Sequence, residues 1–195
     1  MMAPKVSIVI PAYNSGVLLR DTLAGIQRQT FQDFEIIVVD DGSEDDTQEI
    51  VTSTDPGIRY YRQANQGPAV ARNLGASLAL GEFIAFCDHD DIWNDRHLET
   101  LLRVFSEYPA TALVFDNALH CSADNADAVP HVMPSRRNEL ARGPVPIKKI
   151  WQCSVASMSV VMVRKNIFDG LAGLHPKIWG LDDLHFYLRL VSLYP

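Results

Sequence analysis

Phe83-Ile84-Ala85-Phe86-Cys87-Asp88-His89-Asp90-Asp91 runs five apolar residues, without alternation, into four polar ones of which three are acids. A short, unbroken apolar run of this kind fits a strand buried on both faces. The same pattern occurs twice upstream. Val6-Ser7-Ile8-Val9-Ile10 leads into Pro11-Ala12-Tyr13-Asn14, and Glu35-Ile36-Ile37-Val38-Val39 leads into Asp40-Asp41-Gly42-Ser43. Helical patterning fills the intervals. Leu18, Leu19, Leu23 and Ile26 recur at helical spacing after Asn14 or Ser15, either of which can cap a helix. Glu44-Asp45-Asp46 places carboxylates at the positive end of a second helix, and Pro68 opens an Ala-rich third that ends near Gly81. Ile58–Tyr61 reads as a half-buried strand, about 94–108 as a helix and Thr111–Phe115 as a strand. Alternating strands and helices with short connections predict an α/β chain. The expected architecture is a single Rossmann-like domain with a mainly parallel central sheet and helices on both faces. In such sheets ligands bind at the carboxyl ends of the strands, so the polar strand ends collect on one rim.

Residues 118–146 interrupt this rhythm with Asp, Asn, Pro and the basic pair Arg136-Arg137, and read as a long loop or lid. Met158–Val163 reads as a further strand. Asp182–Leu193 reads as an amphipathic helix with Leu184, Tyr187, Leu188 and Val191 on one face. The whole chain has 195 residues, 47% of them hydrophobic and 21% charged, which excludes a disordered tail. Its net charge of −7 argues against nucleic acid as a partner, because a binder of phosphates carries a basic footprint. Cys87, Cys121 and Cys153 are an odd set without CxxC spacing, which fits a reducing compartment and argues against disulfides and zinc. No apolar run is long enough to span a bilayer. The expected location is the cytoplasm, with peripheral contact at the inner face of a membrane left open.

The acids are the chemically informative residues. Asp88 and Asp90 stand two apart at a strand end; in an extended chain such side chains project to one side, and two hard oxygen donors suit Mg²⁺ or Mn²⁺. The tripeptide taken alone fits a solvated Asp-rich turn better; its place after an apolar strand favours the metal. Asp40 or Asp41 can accept a hydrogen bond from a nucleobase imide, while Asp-Gly-Ser is also a good turn. Gly67 allows backbone to approach a ligand. Arg72, on the first turns of a helix, can fork onto phosphate or simply lie exposed. Asp182 and Asp183 open the last helix, where either capping or general-base work is in character. His89 and His185 lie beside these acids and rank below them. Trp93, Trp151 and Trp179 can stack on a sugar, with packing the simpler role. GxGxxG after the first strand, GxxxxGK[ST], GxSxG and HExxH are all absent, which disfavours dinucleotide enzymes, P-loop kinases, α/β-hydrolases and zincins.

In order and spacing, Val6–Asn14, Glu35–Ser43, Ala71-Arg72-Asn73 and Asp88-His89-Asp90-Asp91 closely resemble family 2 of the inverting glycosyltransferases, of GT-A fold. Gly180–Arg189 resembles the family's Glu-Asp segment, with an Arg six residues after the Asp. The resemblance implies a metal-dependent transfer of a sugar from a nucleoside diphosphate sugar, usually a UDP-sugar, to a saccharide or lipid-linked acceptor. Bacterial surface-polysaccharide synthesis is the setting it implies. By the same resemblance Pro11, Ala12, Tyr13, Asn14, Gly67, Arg72 and His89 line the nucleotide-sugar site and Asp40 meets the base. Asp88 sits near the ribose, and Asp90, with Asp88, holds a divalent metal, Mn²⁺ or Mg²⁺. Asp183 is the catalytic base, with Asp182 the other candidate. Residues 1–117 become the nucleotide-sugar half and 147–195 the acceptor and base half. His89 stands where the family often has a small residue and Asp182 where Glu is commoner, and family members usually continue beyond residue 195. Two other classes remain: a haloacid-dehalogenase-like phosphatase, disfavoured by Ile92 at the fifth position of its motif, and a non-catalytic nucleotide-sugar-binding domain.

Overall fold

The computed structural model describes residues 3–116, 119–122, 125–130, 157–178 and 180–194. Six strands form the central sheet: β1 (Val6–Ala12), β2 (Phe34–Asp40), β3 (Arg59–Arg62), β4 (Phe83–Phe86), β5 (Leu113–Phe115) and β8 (Val161–Arg164), in the order β3-β2-β1-β4-β8-β5. β1, β2, β3 and β4 pair in parallel, whereas β8 runs antiparallel between β4 and β5. Among the described residues the helices are α1 (Gly16–Gln27), α2 (Thr47–Thr54), α3 (Pro68–Leu78), α4 (His97–Glu107), α5 (Lys165–Gly170) and α6 (Asp182–Leu193).

Strand periodicity sorts the core into two layers, because successive side chains point to opposite faces. Ile8, Ile10, Ile36, Val38 and Ala85 pack with Leu19, Leu23 and Ile26 of α1, Val51 of α2 and Leu98 and Leu101 of α4. Val9, Ile37, Val39, Ile84 and Phe86 pack on the other face with Ala71 and Ala76 of α3, Phe168 of α5 and Phe186 and Leu190 of α6. The α/β architecture with both faces covered is thus as expected, and α6 occupies the residues predicted for it.

Several local expectations are corrected. The predicted strand over Met158–Val163 divides into a 3₁₀ turn, Met158–Val160, and β8. The α5 helix was not apparent from periodicity, being only six residues long. Part of the expected loop at 118–146 is a two-stranded antiparallel ribbon, β6 (Leu119–Ser122) with β7 (Asn125–Pro130). Arg136, Arg137, Trp151, Cys153 and Trp179 lie outside the described residues. Ser15 occupies the N-cap position of α1 but makes no capping hydrogen bond with its side chain. No helix among the described residues is long and apolar enough to cross a membrane.

Candidate active site

Register aligns the three parallel strand ends. Ala12 pairs with Asp40 and Val9 with Phe86. The ladder continues past the strands through Asp41 N–H to Ala12 O at 2.8 Å and Cys87 N–H to Val9 O at 3.1 Å. The segments after β1, β2 and β4 therefore leave the sheet at one edge. They border an open cleft of about 430 Å³ with the start of α3. Of the residues singled out in the sequence, Pro11, Ala12, Tyr13, Gly67, Arg72, Asp88, His89 and Asp90 line it; Asp41, Asn65 and Pro68 complete the wall. His89 Nδ1 lies 3.3 Å from the Pro11 carbonyl, which can only accept, so this nitrogen carries the proton.

Asp40 and Asn14 do not face the cleft. Asp40 is 0% exposed. One oxygen accepts Ser43 N–H at 2.7 Å, and the other takes the Tyr60 hydroxyl, with Arg62 3.9 Å away. Strand alternation puts Asp40 on the same face as Ile36 and Val38, under the turn it holds closed. Asn14 adopts φ +48° and its side-chain oxygen accepts Glu44 N–H at 2.8 Å, so it ties the β1 end to the β2 end. Asp41 is the acid that reaches the cleft. It accepts Gln63 Nε2 at 2.6 Å, Gln66 N–H at 2.9 Å and Gly67 N–H at 2.7 Å. Gly67 caps α3 at φ +90°, a conformation side chains resist, which is why glycine stands there. The residues alone had left both acids open as acceptors, the family resemblance had pointed to Asp40, and Asn65 had gone unnoticed; the turn after β2 is what separates the two acids.

Asp88–Asp91 is a turn rather than extended chain, closed by Asp91 N–H to Asp88 O at 3.2 Å. The argument from extended-chain spacing therefore fails, yet both Asp88 and Asp90 still open onto the cleft. Asp88 is held from three sides. One carboxylate oxygen pairs with Arg72, the other takes the Ser157 hydroxyl at 3.3 Å, and its N–H donates to Ser159 Oγ at 2.9 Å. Ser159 O in turn accepts the indole N–H of Trp93 at 2.8 Å, so Trp93 braces the turn from within the core. The Asp90 carboxylate is exposed and has no hydrogen bond or ion pair among the described residues. Two hard oxygen donors at an open volume fit Mg²⁺ or Mn²⁺, which keep several positions for water and phosphate. The described residues hold no cluster of three or more His, Cys, Asp or Glu able to cage a metal. A phosphorylated ligand would have to complete the shell.

Arg72 is 8% exposed, not the surface arginine that an isolated helical position allows. It pairs with Asp88 and, at 3.5 Å, with Asp182. Burial opposes its charge, but Asp88, Asp182 and Asp183 outweigh that and hold the guanidinium above its ordinary pKa. Arg72 thus joins the cleft to the start of α6. Asp182 also borders a small hollow that shares Gly67 and Pro68 with the cleft. Asp183 accepts Leu184 N–H at 2.6 Å. Burial raises its carboxyl above the usual carboxylate value; the Leu184 contact opposes this, and Asp182 adds to it. Asp182 is committed to an arginine, whereas Asp183 makes no ion pair among the described residues. His185 Nδ1 is buried without a partner among the described residues, its ring meets His175 edge-on, and it is not among the residues lining the cleft.

Comparison with known proteins agrees with this geometry. The profile of Glycosyl transferase family 2 matches residues 7–171. The chain is 41% identical over 121 residues to GalNAc(5)-diNAcBac-PP-undecaprenol beta-1,3-glucosyltransferase of Campylobacter jejuni, covering 60% of this chain and 38% of that protein. It superposes on S. aureus TarS 1-349 in complex with UDP at TM-score 0.79 and 23% identity, covering 96% of this chain and 55% of that one. It also superposes on mannosyltransferase PcManGT from Pyrobaculum calidifontis in complex with GDP-Man and Mn²⁺, at TM-score 0.71 and 18% identity, over 100% of this chain and 54% of that one. An α/β sheet with an acidic cleft at its carboxyl edge is here the GT-A fold. The chain belongs to glycosyl transferase family 2. It spans well under two thirds of the length of the Campylobacter relative.

Proposed function

We propose that this domain transfers a sugar from a nucleoside diphosphate sugar, foremost a UDP-sugar, to an acceptor hydroxyl with inversion at the anomeric carbon. The observation that carries the reading is the convergence of Asp41, Arg72, Asp88 and Asp90 on one cleft, with the Asp182-Asp183 helix start joined to it through Arg72. Neighbours of this fold crystallised with UDP, UDP-GlcNAc and GDP-Man support the donor class. Family membership displaces the phosphatase alternative.

In this reading Pro11, Ala12, Tyr13 and Gly67 wall the nucleotide, with His89 beside them. Asp41 takes the part expected of Asp40: a carboxylate has about four acceptor sites, and three are used, which leaves one for an imide N–H. Asp88 meets the ribose and, with Asp90, would hold a divalent cation, Mn²⁺ or Mg²⁺, which when bound would neutralise charge on the departing diphosphate. Asp183 accepts the proton of the attacking hydroxyl, help worth about 10² to 10⁴ in rate. One base and no enzyme nucleophile give a single displacement and inversion. The Campylobacter relative, named for an undecaprenol-linked glycan, supports a saccharide or lipid-linked acceptor, with work in bacterial polysaccharide synthesis at the cytoplasmic face of a membrane.

Calorimetric titration with UDP, with and without Mn²⁺, tests the reading. Mn²⁺ should tighten binding to the native chain, Asp90→Asn should lose that gain, and Asp41→Asn should weaken binding in both conditions. Equal affinity in all six cases would remove the assignment. UDP binding without turnover of any donor would leave the non-catalytic domain instead.

A further inference from the structure

The described residues between α5 and α6 form little regular structure, yet two successive residues of α3 hold this connection and the start of α6. Arg72 holds Asp182, as described. The next residue, Asn73, makes a reciprocal pair with Leu174: its Nδ2 donates to Leu174 O at 2.8 Å, and Leu174 N–H donates to its Oδ1 at 2.8 Å. A side-chain amide here does what a neighbouring strand would do, across 101 residues of sequence. The fit is close: Gly173 sits at φ +65°, and a Cβ there would stand 2.4 Å from Asn73 Oδ1. From the other side, Arg189 of α6 donates to Leu171 O at 2.6 Å and to Gly173 O. α3, the connection and α6 are therefore braced as one triangle. Asn73 is not among the residues lining the cleft, so contact with a ligand does not account for it.

We propose that Asn73 is a positioning residue for transfer: by clamping Leu174 it sets where the start of α6, and with it Asp183, stands relative to the cleft. The inference rests on Asp183 as the base. Loss of the clamp displaces the base while the nucleotide wall stays intact, since most of that wall comes from the ends of β1, β2 and β4 and the start of α3 is held separately, by Asp41 at Gly67 and by Asp88 at Arg72. A displacement of about 1 Å at a reacting group can cost on the order of 10²-fold in rate.

Asn73→Ala removes both bonds; Asn73→Asp keeps the acceptor for Leu174 N–H and loses the donor. Three quantities are measured on the native chain and both variants: UDP affinity by calorimetry with Mn²⁺, amide exchange along the chain, and UDP release from UDP-GlcNAc. Asn73→Ala should leave the UDP dissociation constant within about twofold and lower kcat about 10- to 100-fold at constant donor KM. Exchange at Leu174 and the first turn of α6 should quicken at least about tenfold while β1 and β2 stay protected. Asn73→Asp should fall between. Unchanged exchange at Leu174 and α6 overturns the proposal whatever donor the chain turns over, and so does faster exchange with an unchanged kcat. Full transfer by Asp183→Asn would instead bring down the base assignment, whereas an inactive Asp183→Asn beside a fully active Asn73→Ala would remove this inference alone.

Discussion

Replacing Arg72 with Met keeps the length of the side chain and deletes its charge. Arg72 is buried between Asp88 and Asp182, and its pKa is raised in spite of burial, so those carboxylates stabilise it more than desolvation costs. Its deletion leaves the nearly enclosed Asp182 and the partly buried Asp88, with Asp183 close by, without their cation. Removing one partner of a buried ion pair costs about 3–5 kcal/mol. Against a total stability of about 5–15 kcal/mol that is a large share. At about 2–4 °C per kcal/mol for a chain of this size, the melting temperature should fall by about 6–20 °C. Urea unfolding at pH 7 without ligand measures the loss directly, with an unchanged m-value confirming that the native state is the one affected. Adding Asp182→Asn to Arg72→Met should recover about 0.5–3 kcal/mol, because it discharges one of the abandoned acids. A loss under about 1 kcal/mol, or a double variant no more stable than the single one, would refute the reasoning; it would mean that water already screens these groups.

Asp183→Asn should abolish transfer by about 10²- to 10⁴-fold while UDP affinity is unchanged, read by product formation beside calorimetry. It should also stabilise the fold at neutral pH. The carboxyl pKa is raised in the folded state, so its stabilising contribution is present below the unfolded value of 3.8 and lost as pH climbs through the folded value; Asn escapes that loss. The gain should be small, because solvent screens the group, and it should vanish in melts below pH 3.8. A variant less stable than the native chain at pH 7 would contradict this. Tyr60→Phe withdraws the hydroxyl from the fully buried Asp40 carboxylate, which keeps only Ser43 N–H at close range. Urea unfolding should show a loss of about 1–3 kcal/mol, with UDP affinity changing less than stability; no loss would mean Asp40 is satisfied without it.

How far the site could be read depended on whether its geometry is local. The Asp88–Asp90 pair was found by its place after an apolar strand, and its position on the cleft held although the backbone there turns. The residues left Asp40 and Asp41 equally open and the family resemblance pointed to Asp40, because the two are adjacent at one strand end and only the turn around Ser43 and Gly67 decides which one is enclosed. Arg72 read as a surface residue in isolation because its partners lie 16 and 110 positions away. Asn73 stood in a recognised motif, but nothing in the sequence linked it to Leu174, 101 positions away.

Short-range preference alone determined the strands, most helices and the collection of polar strand ends on one rim, because apolar runs, period-two and helical spacing, and turn residues act over a few neighbours. Tertiary structure alone decided which acid faces the cleft, that Arg72 joins both carboxylates, and where α6 begins relative to α3. Those outcomes depend on pairing between segments far apart in the chain, whose free energy is set by burial and charge in the assembled fold and leaves no periodic trace in the residues themselves.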